Sequence, residues 1–320
     1  NPTILFLTES AKYLFSLATS IFLLIGLRNQ KVRLNYIAYG IVVGIFISIS
    51  TVVQTNPFNL TAIDLTSRLN VEYLGGFNTY AFMVANSILC SLYLISDSKN
   101  NLFKNILLIF LIVYFFTVLL ATLSRNGMFS LFFGILVYLY YFIGRTKTLF
   151  IFGIFLALLI PILIYLLNTD YGLIAQRYIF DEDFFKGSGR FDVWTSLIKQ
   201  MMDYPLSFIF GFGVGEINTT IPGSWHEILS AHNHFLQFMF EFGFIFLLGI
   251  WYFLFKIFTG IKRLKNRKNR SFLLAILSQI IFNMFLDSTF QSSQAAWLFS
   301  FWLTFIYFQS RDVIKFNTIN

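Results

Sequence analysis

The chain has 320 residues, 57% of them hydrophobic and only 12% charged, with a formal net charge of +8. Its mean hydropathy is +0.71. Soluble domains carry charge on about a quarter of their residues, so this composition excludes a soluble globular fold. Long apolar runs recur, each close to the roughly 20 residues that a helix needs to cross a hydrocarbon core. Only structures that satisfy their backbone hydrogen bonds internally survive there. Spanning segments are predicted over 4–27, 34–53, 78–96, 103–123, 127–144, 148–167, 232–255, 271–287 and 295–310. The expected class is therefore all-α: a polytopic transmembrane bundle of about nine helices with one long extracytoplasmic loop.

Lysine and arginine are unevenly shared among the connections. One set holds Arg28, Lys31 and Arg33, then Lys99 and Lys104, Arg145 and Lys147, the run 256–270, and Arg311 and Lys315. These alternate with the predicted crossings, so the positive-inside rule places them in the cytoplasm. Asn1 then lies outside and Asn320 inside, and an odd number of further helices is expected before residue 1. The basic run 256–270 reads as a topology signal with lipid headgroup contacts rather than a nucleic-acid site. The chain divides into N-terminal helices over 1–167, an extracytoplasmic loop over 168–231, and C-terminal helices over 232–320. Cys90, the single cysteine, lies in an apolar run and excludes an internal disulfide framework or thiolate metal site.

Within the long loop, residues 189–203 have helical spacing. Phe191, Trp194, Ile198 and Met201 or Met202 fall on one side, and Asp192, Thr195, Ser196, Lys199 and Asp203 fill much of the rest. This predicts an amphipathic helix on the membrane surface or the bundle, stopped at Asp203-Tyr204-Pro205. The glycines at 211, 213 and 215 predict a turn. They are not a dinucleotide fingerprint, since no strand precedes them.

Several polar residues are candidates for chemistry. Arg125, in the short turn Ser124-Arg125-Asn126-Gly127, is placed at the outer membrane boundary. It either snorkels to water or binds lipid phosphate or diphosphate through bidentate bonds. Arg190 opens the surface helix, where free N–H groups and the dipole favour an anion. Arg68 and Arg177 are weaker candidates from outer loops. His232-Asn233-His234 stands where the loop re-enters the membrane, and a histidine there suits a general base. With His226 these histidines also admit a zinc reading. Glu241 shares a helix face with His234 and is expected to pair with Arg125 or another buried cation. Asp181-Glu182-Asp183 contains the Asp-x-Asp pattern of some metal-dependent transferases.

The order of these motifs resembles the O-antigen ligase and Wzy-type polysaccharide polymerase family. It runs Ser-Arg at a membrane turn, Ser-Gly-Arg…Trp, Asp-Tyr-Pro, Gly-x-Gly-x-Gly, Ala-His-Asn-His-Phe-Leu, then Glu-Phe-Gly, and is densest over 124–243. The resemblance implies an inverting glycosyltransferase with no cofactor and no metal. Its donor is a glycan on undecaprenyl diphosphate, and its acceptor a glycan or lipid A-core hydroxyl. The implied setting is the outer face of the bacterial cytoplasmic membrane. The family pattern assigns diphosphate binding to Arg125 and Arg190, and Arg68, Asn233 and Glu241 are supporting candidates read from the sequence itself. It assigns the base to His232, with His234 left open. Members have about a dozen helices, so three are expected ahead of this chain. Ligase and polymerase share this chemistry. A lipid-linked glycan flippase is the rival, but it predicts charge strung through several helices.

Overall fold

The protein is described by a computed structural model over residues 34–55, 77–97, 101–122, 124–167, 190–217, 231–287 and 298–309, with single positions at 11, 14, 18, 21, 22 and 25. These residues are helical or in short connections. The helices are α1 (Leu34–Thr55), α2 (Phe77–Asp97), α3 (Leu102–Ala121), α4 (Arg125–Ile143), α5 (Arg145–Leu167), α6 (Arg190–Asp203), α7 (Pro205–Phe210), α8 (His234–Lys262) and α9 (Arg267–Leu286). A shorter apolar helix, α10, covers Leu298–Gln309.

Six helices among the described residues, α1–α4, α8 and α9, are long and apolar enough to cross a membrane. The chain is therefore a multi-pass α-helical membrane protein, and the expected count of nine is not reached among the described residues. The segment predicted over 4–27 is described only at single positions, which are helical. The segment predicted over 295–310 is represented by the shorter α10.

Local chemistry explains the boundaries. Asn101 caps α3 by accepting from the Lys104 N–H, and Ser124 caps α4 by accepting from the Gly127 N–H. Such caps satisfy donors that the helix itself cannot. Gly144, with φ 97°, turns the chain between α4 and α5. Pro205 stands in the first turn of α7, where its missing N–H costs nothing.

The chain forms two compact units. One comprises Val32–Lys186 and Lys265–Gln279. Here α2 packs against α1, α3 and α4, and 78% of its spanning window is buried. It is the centre of this unit rather than a lipid-facing helix, and its polar residues are bonded inward. Asn86 donates to Gln279 at 3.2 Å, and the Tyr93 hydroxyl lies 2.8 Å from Asn35 and 2.9 Å from Asn269.

The other unit comprises Asn1–Lys31, Gly187–Leu264 and Ile280–Asn320. Its small core joins Leu197, Met201, Ile217, Ala231 and Phe240. The amphipathic helix is present as α6, but a different face packs. Val193, Leu197 and Met201 face the core, while Phe191, Ile198 and Met202 are exposed. The predicted stripe and the buried stripe are neighbours, because α6 is apolar over more than one face. Packing against α8 selects the face that fits the Phe240 side.

Candidate functional site

The His-Asn-His segment folds around a helix start. Asn233 is the N-cap of α8, and its side chain accepts from the Leu236 N–H at 3.0 Å. That single capping bond fixes the two histidines differently. His234 enters the first turn of α8, only 1% exposed, and stacks on Phe238 at 5.8 Å. His232 precedes the cap with φ 46°, the left-handed region that a non-glycine residue rarely occupies. Its side chain is 42% exposed. Backbone strain of this kind is concentrated at functional sites.

His232 Nδ1 lies 3.3 Å from an Asp287 carboxylate oxygen, and the Asp287 side chain is 7% exposed. With Nδ1–H donating to the carboxylate, Nε2 on the opposite edge of the ring keeps its lone pair for an incoming proton. Asp287 follows directly on the last residue of α9. Sequence reasoning missed it, because it ends an apolar segment and its partner lies 55 residues away. The available signal was an acid placed at the end of a spanning run.

Arg190 belongs to the same neighbourhood. Its Nη1 donates to the Leu286 carbonyl at 2.7 Å. That carbonyl ends α9, where a cation complements the helix dipole. Arg190 and His232 are thus bonded to consecutive residues, Leu286 and Asp287. One turn along α6, Trp194 Nε1 donates to the Ala231 carbonyl at 2.6 Å, the residue immediately before His232. Two bonds from one face of α6 therefore brace both sides of the histidine–carboxylate pair.

Below the site, the glycine turn crosses α8. The Phe212 N–H donates to the Phe240 carbonyl at 2.8 Å and the Gly213 N–H to the Glu241 carbonyl at 3.1 Å. The approach is so close that a Cβ on Gly211 would sit 2.2 Å from the Glu241 oxygen. A Cβ on Gly243 would sit 2.2 Å from the Ile209 oxygen. Gly243, with φ 85°, also breaks α8 into two helical pieces. Glu241 is buried here and accepts from Gln237 at 3.1 Å and from the Gly215 N–H at 3.4 Å. Both of these donors are neutral.

In the other unit, Arg125 is the first residue of α4. Ser124, the cap, also donates to Asn78 at 2.6 Å, and Gly127 lies against α2, where an added Cβ would meet Ala81 at 2.5 Å. The start of α4 is thus locked onto α2. Beside Arg125, Asn126 is buried with its side-chain amide unbonded, an arrangement that costs on the order of 1–3 kcal/mol without a partner. Arg68, Arg177, Asp181, Glu182, Asp183 and His226 lie outside the described residues.

No curated protein matches the chain. Residues 110–252 match a family model described as Wzy_C, O-antigen ligase. The matched segment includes Arg125, Arg190, His232 and His234, while Asp287 lies beyond its end. Over this segment the chain is similar to the O-antigen ligase family.

Proposed function

We propose that this protein transfers a glycan from undecaprenyl diphosphate to an acceptor sugar hydroxyl, with inversion and without a metal, as an O-antigen ligase of the outer face of the bacterial cytoplasmic membrane. The observation that carries the reading is the His232–Asp287 pair at 3.3 Å, braced by Arg190 and Trp194, and the similarity of residues 110–252 to an O-antigen ligase family model supports it. Polyprenyl diphosphate is already a good leaving group. The enzyme needs cationic stabilisation of the charge that develops on it, alignment of the acceptor hydroxyl and removal of its proton.

His232 Nε2 takes the acceptor proton while the acceptor oxygen attacks the anomeric carbon from the face opposite the diphosphate. The new C–O bond forms as the bond to the diphosphate breaks. Asp287 holds the ring and stabilises the imidazolium that results. Arg125 and Arg190 are the diphosphate ligands, and Arg68 is a further outer-loop cation. Exposure favours His232 over His234 as the base, because a ring that is 1% exposed cannot reach an acceptor without rearrangement.

The test is transfer by purified full-length protein from undecaprenyl-diphosphate glycan with chelator present. His232→Ala is expected to lower kcat by about 10²–10⁴-fold, the range for a general base. Asp287→Asn is expected to lower kcat by a smaller factor with donor KM unchanged. Unchanged turnover in His232→Ala sinks the assignment. A lipid A-core acceptor that is refused while a repeat-unit acceptor is used marks the enzyme as a polymerase.

A further inference from the structure

We propose that the groove between α4 and α5 holds the hydrocarbon tail of a long isoprenoid diphosphate whose head is bound at Arg125. The proposal rests on the diphosphate role given to Arg125 above and adds the site of the lipid chain. The groove has a volume of about 290 Å³ and is lined by Leu136, Val137 and Tyr140 of α4 and Thr148, Leu149 and Phe152 of α5. Its surface is almost wholly apolar.

Helix geometry connects the groove to the arginine. At 100° per residue, Phe129, Phe133, Leu136 and Tyr140 fall within roughly 80° of Arg125 around the axis of α4. Phe129, Phe133 and Tyr140 are exposed on this face. The opposite face, with Ser130, Gly134 and Tyr138, is buried. One apolar stripe therefore leads from the guanidinium into the groove, and no charge interrupts α4 along the way.

Length selects the occupant. At 1.5 Å per residue the groove begins about 16 Å from Arg125 and extends to about 22 Å. A hydrocarbon core is about 30 Å thick, so a leaflet-deep acyl chain with its head at Arg125 stops near the groove's mouth. A chain longer than one leaflet, carried on a diphosphate, reaches through it. The other lipid that fits is a phospholipid entering from the Arg145 and Lys147 end, and the test separates the two.

The experiment is lipid retention by purified full-length protein in native mass spectrometry, with undecaprenyl diphosphate, farnesyl diphosphate and phosphatidylglycerol as probes. Wild type is expected to prefer the long-chain diphosphate over the short one by about tenfold or more. Val137→Trp and Leu149→Trp, made separately so that a misfolded variant does not decide the result, are each expected to reduce that preference to within about twofold. Arg125→Ala is expected to weaken both diphosphates together. A preference that survives both tryptophan variants, or phosphatidylglycerol displacing the long-chain diphosphate at equal concentration, overturns the groove assignment. None of these readouts needs turnover. Groove-dependent retention without transfer would remove the transferase reading alone, and transfer with no chain-length preference would remove the groove alone.

Discussion

His232 is held in a conformation that its own chemistry does not favour. A left-handed backbone at a non-glycine residue costs on the order of 1–2 kcal/mol, and here the Asn233 cap fixes the following residues of the turn. Asn233 therefore acts on His232 through the backbone and is a positioning residue. Asn233→Ala is expected to destabilise the protein by about 1 kcal/mol, the usual worth of a cap, and to lower kcat more than it changes acceptor KM. Asn233→Asp keeps the cap and should restore most of both, as checked by melting in detergent alongside transfer kinetics. At this scale much was legible. The two arginines and the His-Asn-His segment stand out as polar groups in apolar sequence. Asp287 and the left-handed φ of His232 were not legible, because each depends on where distant chain arrives.

The crossing of the glycine turn over α8 is set by backbone, not by side chains. Gly211 and Gly243 each lie within 2.2 Å of the other segment's carbonyl, measured from an added Cβ. Gly215 has a positive φ of 84° but open space around it. The difference predicts an order. Gly215→Ala should cost roughly 1–2 kcal/mol from backbone strain. Gly211→Ala and Gly243→Ala should each cost clearly more, because the backbones must separate as well. Equal melting shifts for all three variants would contradict the crossing. Sequence periodicity located α6 and its stop at Pro205, yet named its packed face only in part, since Met201 alone of the predicted stripe joins the core. The kink at Gly243 was hidden inside a run that reads as continuous and apolar.

For the whole molecule, the distribution of charge is the main topological information. Spanning segments were readable because twenty or so consecutive apolar residues have few other uses. Their ends shifted by a few residues where caps such as Ser124 and Asn233 decide the boundary. The division into units was not readable, because α9 contributes Arg267–Gln279 to one unit and Ile280–Leu286 to the other. Positive-inside asymmetry predicts that Lys199 faces outward and Lys265 faces the cytoplasm. Cys90 is fully buried, so single cysteines can be read against the native background. In intact spheroplasts, Lys199→Cys should react with an impermeant maleimide and Lys265→Cys should react only after permeabilisation. The reverse pattern would invert the topology and move the proposed chemistry to the cytoplasm.

The glycine crossing also sets an order in time. Gly211 to Gly215 are synthesised before Gly243, so the turn has nothing to close upon until α8 is made and inserted. Until then the Phe212 and Gly213 amides lack the carbonyls that they bond in the finished protein. Assembly of the histidine site is therefore a late event in biogenesis, completed only when α9 delivers Leu286 and Asp287. A nascent chain halted before that point holds Arg190, His232 and His234 but not the contacts that arrange them.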